Sequence, residues 1–278
     1  MSRLPDSPVH AAKGAGRDFV YSTAFEVLSR AGFVARGVVY GIIGVLAFLV
    51  AVSDKGKLTD QEGAIRTLAD EPFGTTLLVV LAIGLGGYSI WRLFRAALGH
   101  GPEASDSTID RLGGVGSGLV YGGLCIATIK ILTGSSSSGA GSTPDKTTAG
   151  VFDWPAGRWL VGIAGLVLIG VGAYQFLKGA RQKFLEELKT EQMAPETKRW
   201  ITRIGTVGHI ARAVVFALIG WFLLKAAYEF DAKEAIGLDG ALTKIVTASY
   251  GPWLLGLVSA GLIAFGVYSV SESRYRKI

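Results

Sequence analysis

The chain has 278 residues, half of them hydrophobic, with 28 Lys and Arg against 22 Asp and Glu, a formal net charge of +6. The apolar residues stand in long blocks with almost no charge inside, which excludes an ordinary water-soluble domain, whose helices show one polar face. The basic excess is not interleaved with stacking aromatics, so nucleic acid is excluded as a partner.

Residues 1–24 are polar and charged, with no apolar core that would mark a cleaved signal peptide, so the first apolar block is expected to act as its own insertion signal. Six blocks follow, near residues 31–52, 74–97, 112–133, 157–177, 206–228 and 250–270. Each is long enough to cross a hydrocarbon core as a helix, which takes about 20 residues. Glycine, at 39 positions, is about twice as frequent as in an average protein. Most of it falls inside the blocks, where it lets helix backbones approach closely.

Of the 28 basic residues, 17 fall on the side of the two termini and seven on the opposite side. The remaining four, Arg36, Lys130, Arg212 and Lys225, lie within spans, and no Asp or Glu does by these boundaries. The acidic residues divide evenly, so the asymmetry belongs to Lys and Arg and predicts cytoplasmic termini. The positive balance suits an anionic inner leaflet, which makes the bilayer and its anionic headgroups the expected partners.

The chain repeats itself three times. Gly32 to Gly41 aligns without gaps on Gly113 to Gly122 and on Gly208 to Ala217. The odd spans share small residues four apart (Gly37/Gly41, Gly118/Gly122, Ala213/Ala217), which mark helix-packing positions. They also share a polar slot at Arg36, Ser117 and Arg212, an aromatic at Tyr40, Tyr121 and Phe216, and a second polar slot at Lys130 and Lys225. In the even spans, Gly86 to Ile90 aligns with Gly172 to Phe176 and Gly266 to Val270, bringing Tyr88, Tyr174 and Tyr268 into register. Pro72-Phe73-Gly74, Pro155-Ala156-Gly157 and Gly251-Pro252-Trp253 open these spans, a place where proline is tolerated. Two spans per unit make the repeats parallel. The expected fold is an all-α membrane bundle of six helices as three two-helix repeats, most simply pseudo-threefold, with a linear row as the other arrangement. Residues 28–98, 109–181 and 201–278 form the repeats, 1–27 the N-terminal segment and 182–200 an amphipathic cytoplasmic linker.

This pattern, the string Asp60-Gln61-Glu62-Gly63-Ala64-Ile65-Arg66-Thr67-Leu68 before Pro72-Phe73-Gly74, and the ending Arg274-Tyr275-Arg276 resemble the bacterial domain-of-unknown-function family numbered 1206. The resemblance covers nearly all of residues 28–278. It implies a bacterial inner-membrane protein and carries over no activity. The second copy departs most: Ser117 replaces arginine, and residues 134–148 read as a flexible Ser/Gly-rich outer connection.

Arg36, Arg212, Ser117, Tyr88, Tyr174, Tyr268 and His209 form a candidate belt for anionic lipid or a passing anion. The competing reading has both arginines snorkelling to the interface and bonding backbone carbonyls. His209, three residues before Arg212, is either a proton-relay group or an ordinary interfacial histidine. Lys130 and Lys225 are an outer cation ring or snorkelling side chains. The single Cys125 matches Gly44 and Gly220 and reads as a packing residue. Residues 63–68 and 240–245 read as short amphipathic helices on the outer surface, either a lid or a cap over span ends. The linker is expected to extend the fourth helix and lie against headgroups, with partner binding as the alternative.

No nucleophile–base pair or metal-ligand spacing is present, so no enzyme and no cofactor are expected. Two functions remain: a non-catalytic scaffold or anionic-lipid-interacting protein, and a small channel or transporter between the repeats. A channel needs polar lining at all depths, whereas span middles such as residues 42–48 are apolar, which favours the first.

Overall fold

The computed structural model describes residues 23–53, 56–98, 108–135 and 144–277. The N-terminal segment, His10, His100 and the middle of the Ser/Gly-rich connection lie outside the described residues.

Six long helices correspond to the six apolar blocks: α1 (Thr23–Ser53), α3 (Gly74–Leu98), α4 (Thr108–Leu132), α6 (Gly157–Ala180), α7 (Pro195–Glu229) and α9 (Gly251–Tyr275). All are long and apolar enough to cross a bilayer. Helix is what such sequences adopt there, because hydrocarbon offers the backbone no hydrogen-bond partner. Trp154, Trp159, Tyr228, Phe230, Tyr250 and Trp253 lie exposed around the hairpin face, the end opposite the two termini. Such a girdle is typical of a membrane–water boundary.

Each odd-numbered span packs most extensively against the even-numbered span of the preceding repeat: α4 on α3, α7 on α6 and, closing the cycle, α1 on α9. Within repeats, α1 packs on α3 and α7 on α9. Among the described residues α4 and α6 share no comparable interface. The arrangement is therefore a pseudo-threefold ring opened within its second repeat, and α4 and α6 are the least buried spans.

The small residues of the odd helices meet the even helices at backbone distance. A Cβ on Gly266 would lie 3.1 Å from Gly41 Cα, one on Gly37 2.7 Å from Gly266 O, and one on Gly172 3.0 Å from Ala213 O and 3.2 Å from Ala217 N. At the third interface Gly118 and Gly122 face Ser89, whose hydroxyl donates to Gly118 O at 2.7 Å. This interface is slipped by about one helical turn. Gly44 packs on Ser259 and Ile263, and Gly220 on Gly165 and Ile169, whereas the equivalent Cys125 meets Gly86 and donates to Ala82 O at 3.3 Å. A thiol cannot enter the backbone contact that two glycines make.

Between the spans of each repeat stands a short helix: α2 (Gln61–Ala69), α5 (Pro144–Phe152) and α8 (Leu238–Val246). Asp60 caps α2, accepting from Gly63 N at 2.8 Å. Of these, α2 and α8, expected as amphipathic helices on the outer surface, turn one face fully inward. Gly56 folds back against Leu46 and Val50 of α1, and Ala64, Ile65, Ala241 and Leu242 are fully buried. Apolar faces on α2 and α8 find hydrocarbon-like surroundings inside the ring, so the helices sink in and plug it. The Ser/Gly-rich connection also ends earlier than expected, because α5 already begins at Pro144.

One tight turn joins each short helix to the even span. Phe73, Ala156 and Tyr250 adopt left-handed φ of 65°, 67° and 58°. The following glycine sits so close that a Cβ on Gly74, Gly157 or Gly251 would lie 2.2, 1.9 or 1.9 Å from a carbonyl oxygen of the short helix. The turn sets the register of the three span openings: Tyr250-Gly251 matches Phe73-Gly74 and Ala156-Gly157. Pro252 sits in the first turn of α9, while Pro72 and Pro155 precede their turns.

The linker does not extend α6. Gln182 turns left-handed, with φ of 54°, and the chain then runs through two 3-10 turns, Lys183–Glu187 and Thr190–Gln192. Phe184 and Leu188 are buried in the core rather than laid on headgroups. The backbone of Leu188 bridges to Arg276, so the linker and the C-terminal residues close the terminal face together.

Candidate functional site

The residues of the expected belt fall into two unlike groups. Arg36, on α1, is buried and fully engaged: Nε donates to Ser269 Oγ at 2.7 Å, one terminal nitrogen to Tyr88 Oη at 2.6 Å, and the other to the Glu272 carboxylate. Ser269 Oγ donates in turn to Phe33 O at 2.9 Å. Glu272 corrects the expectation that no carboxylate reaches the arginines, because α9 runs on as helix to Tyr275, past the end of its apolar block. Arg36 is thus interior rather than snorkelled outward, and a carboxylate supplies what the interface would have supplied.

The ion pair continues. Arg276 donates to the other Glu272 oxygen and, at 2.5 Å, to Glu187, which also accepts from Lys178 at 2.7 Å. Alternating charges therefore connect α1, α9, the linker and α6. Phe33 and Trp91 offer ring faces to Arg276, at 5.5 and 5.4 Å, and Arg92 donates to Tyr88 Oη at 3.0 Å. Burial raises the carboxyl pKa of Glu187, yet Arg276 and Lys178 outweigh it and hold the group well below the usual carboxylate range. Burial pulls the Arg276 pKa down, and Glu187 and Glu272 more than restore it.

The second group surrounds Arg212 on α7. Its guanidinium carbon lies 4.3 Å from the Phe265 ring centroid and 5.2 Å from those of Tyr40 and Phe216. Three π faces stabilise the cation, while Nε is buried with no hydrogen-bond partner among the described residues. His209, one turn away, is stacked against Phe184 with centroids 5.2 Å apart and lies edge-on to Phe265 and Tyr268. Neither of its ring nitrogens, nor Tyr268 Oη, has a partner among the described residues. Ser117 donates within its own helix to Gly114 O at 3.1 Å, and Tyr174 is half-exposed beside the opening of the ring. Ser117 and Tyr174 are thus outside both groups. Lys225 pairs with Glu234 at 2.9 Å on the hairpin face.

Sequence reasoning missed Glu272, Ser269, Glu187, Arg276 and Lys178 as partners. Glu272 and Arg276, four apart at a helix end, carried an available signal, the spacing of a helical ion pair. Glu187 carried none, since its place depends on the turn at Gln182.

The fold and the repeat define a multi-pass helical membrane protein built from tandem two-helix units. The family model described as Domain of Unknown Function (DUF1206) matches the chain at residues 31–99, 112–182 and 207–276, and the chain belongs to that family. An uncharacterized Bacillus subtilis (strain 168) protein, YxxB, is 35% identical over 251 residues, spanning 89% of this chain and 90% of the relative. No solved structure matches.

Proposed function

We propose that this protein is a non-catalytic membrane scaffold, with both termini in the cytoplasm of a bacterium and its basic terminal face against anionic lipid. The observation that carries the reading is the filling of the ring at both ends. The Arg36–Glu272–Arg276 cluster, its rings and Phe184 occupy the terminal half, and α2 and α8 occupy the hairpin half. Charged groups committed to one another are held in one geometry and are poorly placed to conduct or to react. With Arg36 spent on protein partners, contact with headgroups falls to exposed basic residues of the linker and of the start of α7, such as Lys183 and Arg199.

The test is reconstitution of purified protein into vesicles, with ion flux measured alongside the lipid retained through purification. The scaffold reading expects anionic lipid retained and no flux above protein-free vesicles. Flux abolished by Arg36→Ala and Arg212→Ala would replace it with the channel or transporter reading.

A further inference from the structure

We infer that the cavity beside Arg212 is a binding site for one halide-sized anion, chloride being the abundant candidate. The inference goes beyond the scaffold reading and does not rest on it.

Charge comes first. The two other deeply placed arginines, Arg36 and Arg276, each face a carboxylate. Among the described residues Arg212 pairs with none, although it lies within a span. Its three aromatic neighbours stabilise a cation but do not neutralise it. A membrane-embedded charge without a counter-charge is expensive, and such residues mark ion sites by default.

Chemistry comes second. Arg212 opens on a cavity of about 20 Å³, room for about one water-sized particle. The polar side chains on its wall are Arg212, Tyr40 and Gln61, and the rest of the lining is apolar. Guanidinium, phenol and carboxamide all donate hydrogen bonds, and among the described residues no carboxylate lines the cavity to hold a cation. The space admits a monatomic anion among these donors. A water molecule would fit but would leave the charge uncompensated.

Position comes third. Gln61 and Leu238 begin the two plug helices, α2 and α8, and both line the cavity. An anion there would bridge Arg212 and the Gln61 side chain at the start of α2. The anion would therefore fasten the start of the plug to the ring.

The test uses the full chain in detergent. Thermal unfolding is followed in sodium chloride, bromide and gluconate at constant ionic strength, since a ligand that binds only the folded state raises Tm with its concentration. A saturable rise with chloride and bromide but not gluconate, lost in Arg212→Gln and weakened in Gln61→Leu, is the expected result. Should Arg212→Gln not fold, broadening of the ³⁵Cl resonance by wild-type protein, reversed by bromide and diminished in Gln61→Leu, reads the site directly. Equal unfolding temperatures in all three salts, with no bromide-sensitive broadening, overturn the inference. So does a halide effect that survives in full in both variants. Halide binding without chloride flux in vesicles leaves the scaffold reading standing, whereas binding with flux keeps the site and removes that reading.

Discussion

Arg36 and Glu272, 236 positions apart in the chain, close on each other as a buried ion pair between the first and last spanning helices. Glu272 is shared, since its second oxygen accepts from Arg276. Among the described residues, removing it leaves Arg36 without a carboxylate and Arg276 with Glu187. Breaking a buried pair from one side costs about 3–5 kcal/mol, whereas replacing both partners with apolar groups of similar size is often close to neutral. Glu272→Leu is therefore expected to lower the unfolding temperature in detergent steeply, and Arg36→Met/Glu272→Leu to recover a large part of the loss. A double mutant no more stable than the sum of the singles would show that the pair is not coupled as described.

Acid should loosen the terminal face through Glu187. Its folded-state pKa is depressed below the ordinary glutamate value, so its contribution is present above the unfolded pKa, about 4.3, and drains away as pH falls below that. Unfolding temperature measured from pH 7 downward should decline below about pH 4.3, more in wild type than in Glu187→Gln. The two curves should converge at the acid end. Curves that stay parallel throughout would mean that Glu187 does not act as a paired carboxylate in the folded protein.

Phe184 separates two accounts of the linker. A side chain lying on headgroups could be truncated with little effect, typically within about 0.5 kcal/mol. Phe184 is instead fully buried, stacked on His209 and edge-on to Tyr268 at 5.2 Å. Truncating a buried phenylalanine costs about 3–5 kcal/mol. Phe184→Ala should therefore destabilise as severely as a core substitution within a span, while Lys183→Ala, exposed beside it, should leave unfolding unchanged.

The six spans, the triple repeat and the small-residue seams were legible because each is local. Bilayer thickness sets a length, and a gapless alignment carries residues such as Gly37 and Gly41 onto their equivalents. What escaped was everything that needed a second element. Phe184 and Leu188 look amphipathic in isolation, and only the turn at Gln182 folds them under the ring. Ile65 and Leu242 give α2 and α8 an apolar face, which a lone helix lays on a surface; an open ring interior gives it a deeper place. Glu272 stands two residues past the last apolar block, outside the spans as the sequence bounds them, yet helix α9 continues through it. At the candidate site, the arginine slot was visible, but the different fates of Arg36 and Arg212 depend on which carboxylate the other helices bring.

The glycine of the repeated turn should be the least replaceable small residue in the chain. At Gly251 an added Cβ would sit 1.9 Å from Val246 O and 2.9 Å from Ile245 O. Neither acceptor can withdraw without unwinding α8 or shifting the start of α9. The preceding Tyr250 already holds a left-handed conformation, with φ of 58°, which costs about 1 kcal/mol or more for a residue with a side chain. Gly123 provides the control: it is helical, exposed on α4, and an added methyl there meets nothing within 4 Å. Alanine at such a site is tolerated or mildly stabilising, by up to about 1 kcal/mol. Gly251→Ala should therefore reduce the yield of folded protein and its unfolding temperature, with Gly157→Ala behaving alike, while Gly123→Ala should match or exceed wild type. Equal stability of Gly251→Ala and Gly123→Ala would remove the close turn from the description and, with it, the rigid seat from which α8 reaches into the ring.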